Sequence, residues 1–464
     1  MFLNLDKKNK NKIAITDDSS SSMTYGEILD FSERFGEIID HRTLIFIKCR
    51  NGIGAVAGFL ASLCNRIVPL LIDNGMDQEL FESLVNTYQP EYIWEPVCND
   101  LDNVIYSDLG YRLVSTGYSV CKMNPDLSLL LTTSGSTGSP KLVRHSYANV
   151  ETQGNHISNF FGLNDEDRAM ADLPINYTMG LSVVISFLYV GATCCLTHYN
   201  VLDPEYWDFW RKNKITVFTN IPYTFEMLDR LKFFKMDFPD LRIITQGGGK
   251  LKDKLYIKCA EYATEKNIQF IPTYGQTEGT ARMAYLPPEF AMQKICCIGK
   301  AIPGGKLWLV NENGEIINQS DVCGEMIYEG PNVTWGYAEK KMDLELGDER
   351  SGVLYTGDLA KMDDDGFFYI VGRITRFVKL TGRRISLDDC ERIINNQFNV
   401  LSACTGDDAF LNVFITESDK AEEIHRYLSD KLKLNLRLIK VFVVDSIPRN
   451  SSGKIQYKNL NSSI

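Results

Sequence analysis

The 464-residue chain contains no CxxC pair, which removes zinc-ribbon and thioredoxin-type spacings from consideration. Its twelve cysteines are scattered, with Cys194 beside Cys195 and Cys296 beside Cys297 as the close pairs. That pattern is expected of reduced, partly buried thiols in a reducing compartment. Basic charge is also short: 49 Lys and Arg stand against 60 Asp and Glu, a net charge of −11. Such a balance excludes the electrostatic footprint of a nucleic-acid binder and any general attraction to anionic membranes. The start, MFLNLDKKNKNK, lacks the apolar core of a signal peptide, so a cytoplasmic enzyme is expected. Long apolar runs are missing as well. Residues 173–200 carry no Asp, Glu, Lys or Arg, but Pro174, Asn176, Gly180 and Gly191 interrupt them. A spanning helix needs about 20 predominantly apolar residues. A buried helix followed by a strand over 192–196 is expected instead, and 53–72 reads likewise, with its strand over 67–72. No internal repeat and no low-complexity segment is present.

Hydrophobic residues make up 44% and charged residues 23%, enough for a sizeable core. At roughly 150 residues per domain the length suggests about three units, or two if one is large. Apolar strand-like runs at 128–132, 215–219, 241–245 and 269–272 alternate with helical patterns, the signature of a parallel sheet covered by helices. After about residue 300 the texture changes. Short alternating strands at 306–310, 325–328 and 367–370 follow turns at 311–314 and 363–366, which predicts an antiparallel or barrel-like section. The last part, from about 375, reads as a small α+β unit with helices over 387–398 and 420–433 and strands over 412–416 and 439–444.

Five segments carry chemistry. The first, TTSGSTGSPK at 132–141, follows the apolar run 129–131. Glycines and hydroxyls at this density suit a loop whose backbone N–H groups wrap a phosphate chain. It is not a Walker loop, because GxxxxGK[ST] is absent. The second, YGQTE at 274–278, places a hydroxyl beside a carboxylate at a strand end, as a magnesium and phosphate site requires. Glu278 would serve equally as a helix N-terminal acid. In the third, YTGD at 355–358, Asp358 sits on a tight turn where it could accept from a ribose diol. The fourth combines Gly372 and Arg373 with Lys379, Arg383 and Arg384, and the fifth is IPRNSSGK at 447–454. A basic pair or a lone lysine of this kind is more often a solvated face.

Taken together, in this order, the five segments resemble the signatures of the adenylate-forming superfamily of acyl-CoA synthetases, carrier-protein-loading adenylation enzymes and luciferases. Softer matches at 23–25, 246–249, 298–304 and 324–337 extend the likeness along nearly the whole chain. The resemblance implies an α/β fold with a large N-terminal adenylation core over 1–373, including a small barrel-like section, and a small mobile α+β C-terminal domain over 374–464. It implies ATP-dependent conversion of a carboxylic acid into an acyl-adenylate with release of pyrophosphate, then transfer to a thiol, with ATP and Mg²⁺ as cofactors. Thr133, Ser134, Gly135, Ser136, Thr137, Gly138 and Lys141 would cradle the β- and γ-phosphates. Thr277 would touch the α-phosphate, Glu278 would hold Mg²⁺, and Lys454 would bridge the carboxylate and the α-phosphate. Adenine would lie between Tyr274 and the wall of Gly247, Gly248 and Gly249, flanked by Gly275 and Gln276. Asp358, supported by Arg373, would bind the ribose.

By the same resemblance, Tyr177, Thr178, Met179, Gly180, Asn220, Gln246, Gly248 and Gly275 form the acyl pocket. Amino-acid-activating relatives carry an Asp where Thr178 stands, and a buried ammonium without a carboxylate is costly, so an α-amino acid is disfavoured. Apolar neighbours Met179, Leu181 and Val183 suggest a neutral or modestly polar acyl group. The hinge position, usually Asp or Lys, is Thr375, a departure from the family pattern; Gly382 and Arg383 would line the thiol channel. The chain's shortness and the YTMGLS variant at 177–182 favour the phosphopantetheine of an acyl carrier protein as acceptor, with free CoA as the alternative. An amino-acid-activating ligase and a non-catalytic nucleotide-binding module are the remaining readings. No nucleic-acid partner and no membrane span are expected.

Overall fold

Two large sheets face each other across a layer of helices. The computed structural model describes residues 1–98, 103–132, 141–374, 376–380, 383–407, 409–449 and 453–461. One sheet has nine strands in the order Lys300–Ala301, Ala284–Tyr285, Gln269–Tyr274, Ile243–Gln246, Val217–Asn220, Arg168–Ala171, Thr193–Leu196, Ile13–Asp17, Ser22–Thr24. From Gln269–Tyr274 to Ile13–Asp17 all neighbours are parallel. The other has eight strands, and Leu127–Thr132, Val68–Asp73, Leu44–Cys49 and Tyr92–Pro96 form its parallel centre.

Alternation along the strands decides what each face buries, because successive side chains point to opposite sides. Leu129 and Leu131 join Ile45, Ile47 and Leu71 in the largest core cluster, together with Ala169, Cys194 and Val217 of the nine-stranded sheet. Their neighbours Leu130, Leu70 and Phe46 face outward, where Phe81, Leu84 and Tyr88 of helix Gln78–Tyr88 cover them. Both faces are therefore covered, and the strands read as continuous apolar runs. Helices Ile53–Cys64 and Thr178–Val190 lie in the middle layer and are buried along almost their whole length. They are the two stretches expected to be buried helices, each followed by its strand, Val68–Asp73 and Thr193–Leu196. Among the described residues no helix is long and apolar enough to cross a membrane.

The section after residue 300 is a five-stranded antiparallel sheet in the order Ile316–Ile317, Lys306–Val310, Gly324–Glu329, Val353–Met362, Phe368–Arg373. Beyond it, Val378, Leu387, Cys390, Val413 and Leu428 belong to a separate core. That C-terminal part contains helices Leu387–Phe398 and Ala421–Leu432 and a three-stranded sheet of Ser402–Gly406, Leu411–Ile415 and Ile439–Val443. All twelve cysteines are free thiols, and most are buried.

Candidate active site

The segment 274–282 leaves the nine-stranded sheet and doubles back on itself. After the single turn Thr277–Gly279, Thr280 and Ala281 adopt left-handed backbone, φ 47° and 78°. Such non-glycine residues cost about 1–3 kcal/mol each. The cost is met by the hydrogen bonds that hold the turn: Ala281 N–H donates to Gln276 O at 3.1 Å, and Thr280 Oγ1 donates to Asn332 O at 2.6 Å. The return path runs so close that a Cβ on Gly275 would lie 1.5 Å from Ala281 O, so only glycine fits there. The result is that Thr277, Glu278 and Arg282 all face one cleft of about 360 Å³.

That cleft is lined by Lys141, Tyr177, Thr178, Met179, Gly248, Gly275, Gln276, Thr277, Glu278, Arg282, Tyr337, Tyr355, Arg373 and Lys454, among others. Its described charged residues are four cations (Lys141, Arg282, Arg373 and Lys454) against one carboxylate (Glu278). A strongly acidic chain has therefore gathered positive charge at one place, which suits a polyanion brought together with a carboxylate.

Lys454 reaches the cleft from the far C-terminal part. Gly453 has φ 71°, and a Cβ there would meet Ile221 Cδ1 at 2.6 Å, so glycine lets the loop close against 221–223. Arg449 braces it, stacking over the Tyr223 ring at 4.9 Å and donating to Gly453 O at 2.9 Å. The Lys454 ammonium lies 5.6 Å from the Tyr177 ring centroid. Burial first, then Arg373, pull its pKa down to about 8 against the opposing pull of Glu278 and Asp358.

Asp358, on strand Val353–Met362, is buried and collects three partners. Tyr274 Oη donates to its Oδ2, Gln276 Nε2 donates to the same oxygen at 2.8 Å, and Arg373 Nε lies 3.0 Å from Oδ1. Glu278 Oε1 accepts from Tyr337 Oη at 2.8 Å. Burial and Glu278 push that phenol up to about 12, so it remains a donor. Lys141 lies over the Tyr337 ring at 3.7 Å and 3.6 Å from Glu339. Thr178 and Thr277 share a hydroxyl contact of 2.9 Å. One lining carboxylate is the donor set magnesium takes when substrate phosphates and water complete its octahedron, so Glu278 fits that ion. Among the described residues there is no cluster of three or more metal-ligating side chains.

The structure sorts the expected residues. Tyr177, Thr178, Met179, Gly248, Gly275, Gln276, Thr277, Glu278, Arg373, Lys141 and Lys454 meet at the cleft. Tyr274 is engaged with Asp358, and the exposed ring at the cleft edge is Tyr355. Three acyl-pocket expectations need correction. Asn220 is buried and donates to Asp172 at 2.8 Å, Gln246 donates to Gly247 O and Gly249 O, and Gly180 is pressed against Pro174 O. Their polar or close-packed surroundings explain why they support the wall instead of lining it. Leu181 and Val183 belong to the inter-sheet core and say nothing about the acyl group. Thr133, Ser134, Gly135, Ser136, Thr137, Gly138, Thr375 and Gly382 lie outside the described residues, as does the side chain of Arg383. Sequence reasoning missed Arg282. Its signal was a lone charge inside the otherwise small and apolar stretch 279–286.

A family model described as AMP-binding enzyme matches residues 4–338. The 2-succinylbenzoate–CoA ligase of Oceanobacillus iheyensis is 25% identical over 491 aligned positions, covering 97% of this chain and 96% of that protein. The oxalate–CoA ligase of Arabidopsis thaliana is 28% identical over 346, covering 71% and 66%. The solved structure of O-succinylbenzoate coenzyme A synthetase from Bacillus subtilis in complex with ATP and magnesium ion superimposes with a TM-score of 0.78 over 99% of this chain and 98% of that one, at 20% identity.

Proposed function

The chain belongs to the AMP-binding enzyme family, and from that premise we propose that it is an AMP-forming acid–CoA ligase. In the first step a carboxylate oxygen attacks the α-phosphorus of ATP, the bond to the β-phosphate oxygen breaks, and pyrophosphate leaves. In the second, a thiolate sulfur attacks the acyl carbon and AMP departs. The observation that carries the reading is Lys454, drawn from the C-terminal part into a cleft shared with Thr277 and Glu278.

Each residue's work follows from its chemistry. The Lys454 ammonium offsets the approach of two anions and the charge that develops between them. Thr277 donates to the α-phosphate, Asp358 accepts from the ribose hydroxyls, and Tyr274 with Gly247, Gly248 and Gly249 bounds the adenine. Lys141, with the loop preceding it, holds the β- and γ-phosphates. Glu278 would hold magnesium, which supplies charge neutralisation along the triphosphate. A non-catalytic nucleotide sensor would need neither Glu278 nor Lys454 in one cleft. For the second step the small C-terminal domain over 374–464 rotates about the Thr375 region, withdrawing Lys454 and presenting Gly382 and Arg383 to the thiol.

The acceptor expected from the sequence was a carrier protein. CoA is favoured instead, because the named relatives are CoA ligases. An α-amino acid is disfavoured twice, by Thr178 in place of a carboxylate and by the like charge of Arg282. ATP–pyrophosphate exchange over an acid panel that includes 2-succinylbenzoate and oxalate tests adenylation. Adding CoA or a phosphopantetheinylated carrier protein then identifies the acceptor. Exchange with no acid would overturn the reading, and thioester on the carrier alone would reverse the choice of thiol.

A further inference from the structure

Three of the cleft's cations are already answered by acid. Lys141 lies beside Glu339, Arg373 is paired with Asp358, and Lys454 feels Glu278 and Asp358. Arg282 is different. It is 2% exposed, and no carboxylate among the described residues lies within ion-pair distance of it. Its Nη1 donates to Thr273 Oγ1, whose own proton is committed to Gln246 O at 3.1 Å. Its Nε has no hydrogen-bond partner among the described residues. Burial pulls the guanidinium down to about 10, and the acidic group acting on it is the Tyr177 phenol. At that value it still carries its charge at neutral pH.

A buried charge left unanswered by the protein is costly to keep, and charges of this kind are normally paired. The surroundings say which end of the cleft it serves. A Cβ on Gly247 would lie 2.9 Å from Arg282 Nη1, and a Cβ on Gly248 would lie 2.5 Å from Tyr177 Oη and 3.6 Å from Met179 Sδ. Arg282 therefore stands with Tyr177, Gly248 and Met179, while Lys141, Tyr337 and Glu278 form the other group. The strained turn at Thr280 and Ala281 delivers it there.

We propose that Arg282 determines acyl specificity, and that the acid activated by this protein carries a second carboxylate, which seats on the Arg282 guanidinium. The proposal rests on the acid-ligase reading above. A planar guanidinium presents a fork of N–H donors that matches a carboxylate. A site built to bind such a group rejects the analogue that lacks it, because the cation is then left unpaired.

The experiment pairs acids of matched skeleton: 2-succinylbenzoate with 3-benzoylpropionate, phthalate with benzoate, and glutarate with butyrate. Pyrophosphate exchange gives kcat/KM for each, and calorimetry with AMP present gives binding without turnover. For at least one pair the parent protein should favour the diacid by about tenfold or more. Arg282→Met should collapse that ratio toward one, and Arg282→Lys should retain part of it. Thermal unfolding checks that both variants fold, and the methionine form should melt no lower than the parent, since an unpaired buried charge has gone. The proposal is overturned if the parent prefers no diacid in either assay, or if Arg282→Met leaves the ratio unchanged. It is also overturned if that variant raises KM for ATP equally with every acid, which would assign the guanidinium to the nucleotide. Should exchange be silent throughout, the ligase reading falls, and diacid binding that is present in the parent but lost in Arg282→Met would still sustain the role of Arg282.

Discussion

Two buried arginines occupy adjoining regions of this molecule and are treated in opposite ways. Arg144, on strand Leu142–Ser146, is fully buried and spends all five N–H donors. Nε donates to Tyr337 O at 3.0 Å, Nη1 to Leu346 O and to Gly347 O at 3.1 Å, and Nη2 to Trp335 O at 3.2 Å and to Glu349. It ties the eight-stranded sheet to the segment 335–349, and nothing is left over for a ligand. Arg282 is as deeply buried but has one side-chain acceptor, Thr273. The same side chain is a brace where the fold saturates it and a binding group where the fold leaves it wanting. The regions should therefore answer to different measurements, the cleft in rates and the brace in stability.

The largest effect belongs to the cleft. Lys454→Ala should lower pyrophosphate exchange by about 10²–10³-fold, the loss typical when one preorganised donor to a developing charge is removed. Its melting temperature should stay near the parent's, and thioester formation from a supplied acyl-adenylate should survive. A fall in stability comparable to that at the brace would erase the contrast.

Next comes the brace. Arg144→Met should cost about 3 kcal/mol, read by denaturant unfolding, because four carbonyls and the Glu349 carboxylate lose the buried guanidinium that joins them. KM for ATP in the surviving folded fraction should change little. A stable variant with altered KM would put Arg144 in the functional region.

Asp358→Ala should raise KM for ATP by about tenfold, equivalent to about 1.4 kcal/mol. Arg373 loses its partner in that variant, so part of the effect should return with Asp358→Glu. An unchanged KM removes the ribose contact.

The smallest effect is a pH dependence. The Lys454 ammonium, facing Arg373, Glu278, Asp358 and Tyr177, titrates at about 8. Its charge is present below that pH and lost above it, so adenylation should fall to about half near pH 8 and continue downward. Lys454→Arg, which keeps its charge, should move that alkaline limb upward even if its rate is low. A limb unmoved by the substitution assigns it to another group.

Legibility varied with how local the cause was. Helix Leu387–Phe398 coincides with its expected span because an amphipathic repeat and the Ser386 cap, which accepts from Asp389 N–H at 3.1 Å, both lie within the segment. The strands Ser402–Gly406, Val104–Asp108 and Tyr111–Ser115 were not anticipated, since pairing holds them and not their own pattern: Tyr111–Ser115 lies between Tyr92–Pro96 and Val104–Asp108, and Ser402–Gly406 pairs with Leu411–Ile415. At the site, motif residues such as Thr277, Glu278, Arg373 and Lys454 arrived together as expected. Asn220 and Gln246, chosen by position along strands, turned out to hold the wall.

What the sequence alone determined is the chemistry available: the ordered motifs, the alternating α/β pattern, and the scarcity of basic residues against which any cluster of them stands out. Only the tertiary structure decided which charges are answered. Pairing depends on distances between segments hundreds of residues apart, so Arg144 and Arg282 are indistinguishable as letters. They become a brace and a binding group once folding has given one of them five acceptors and the other an open cleft.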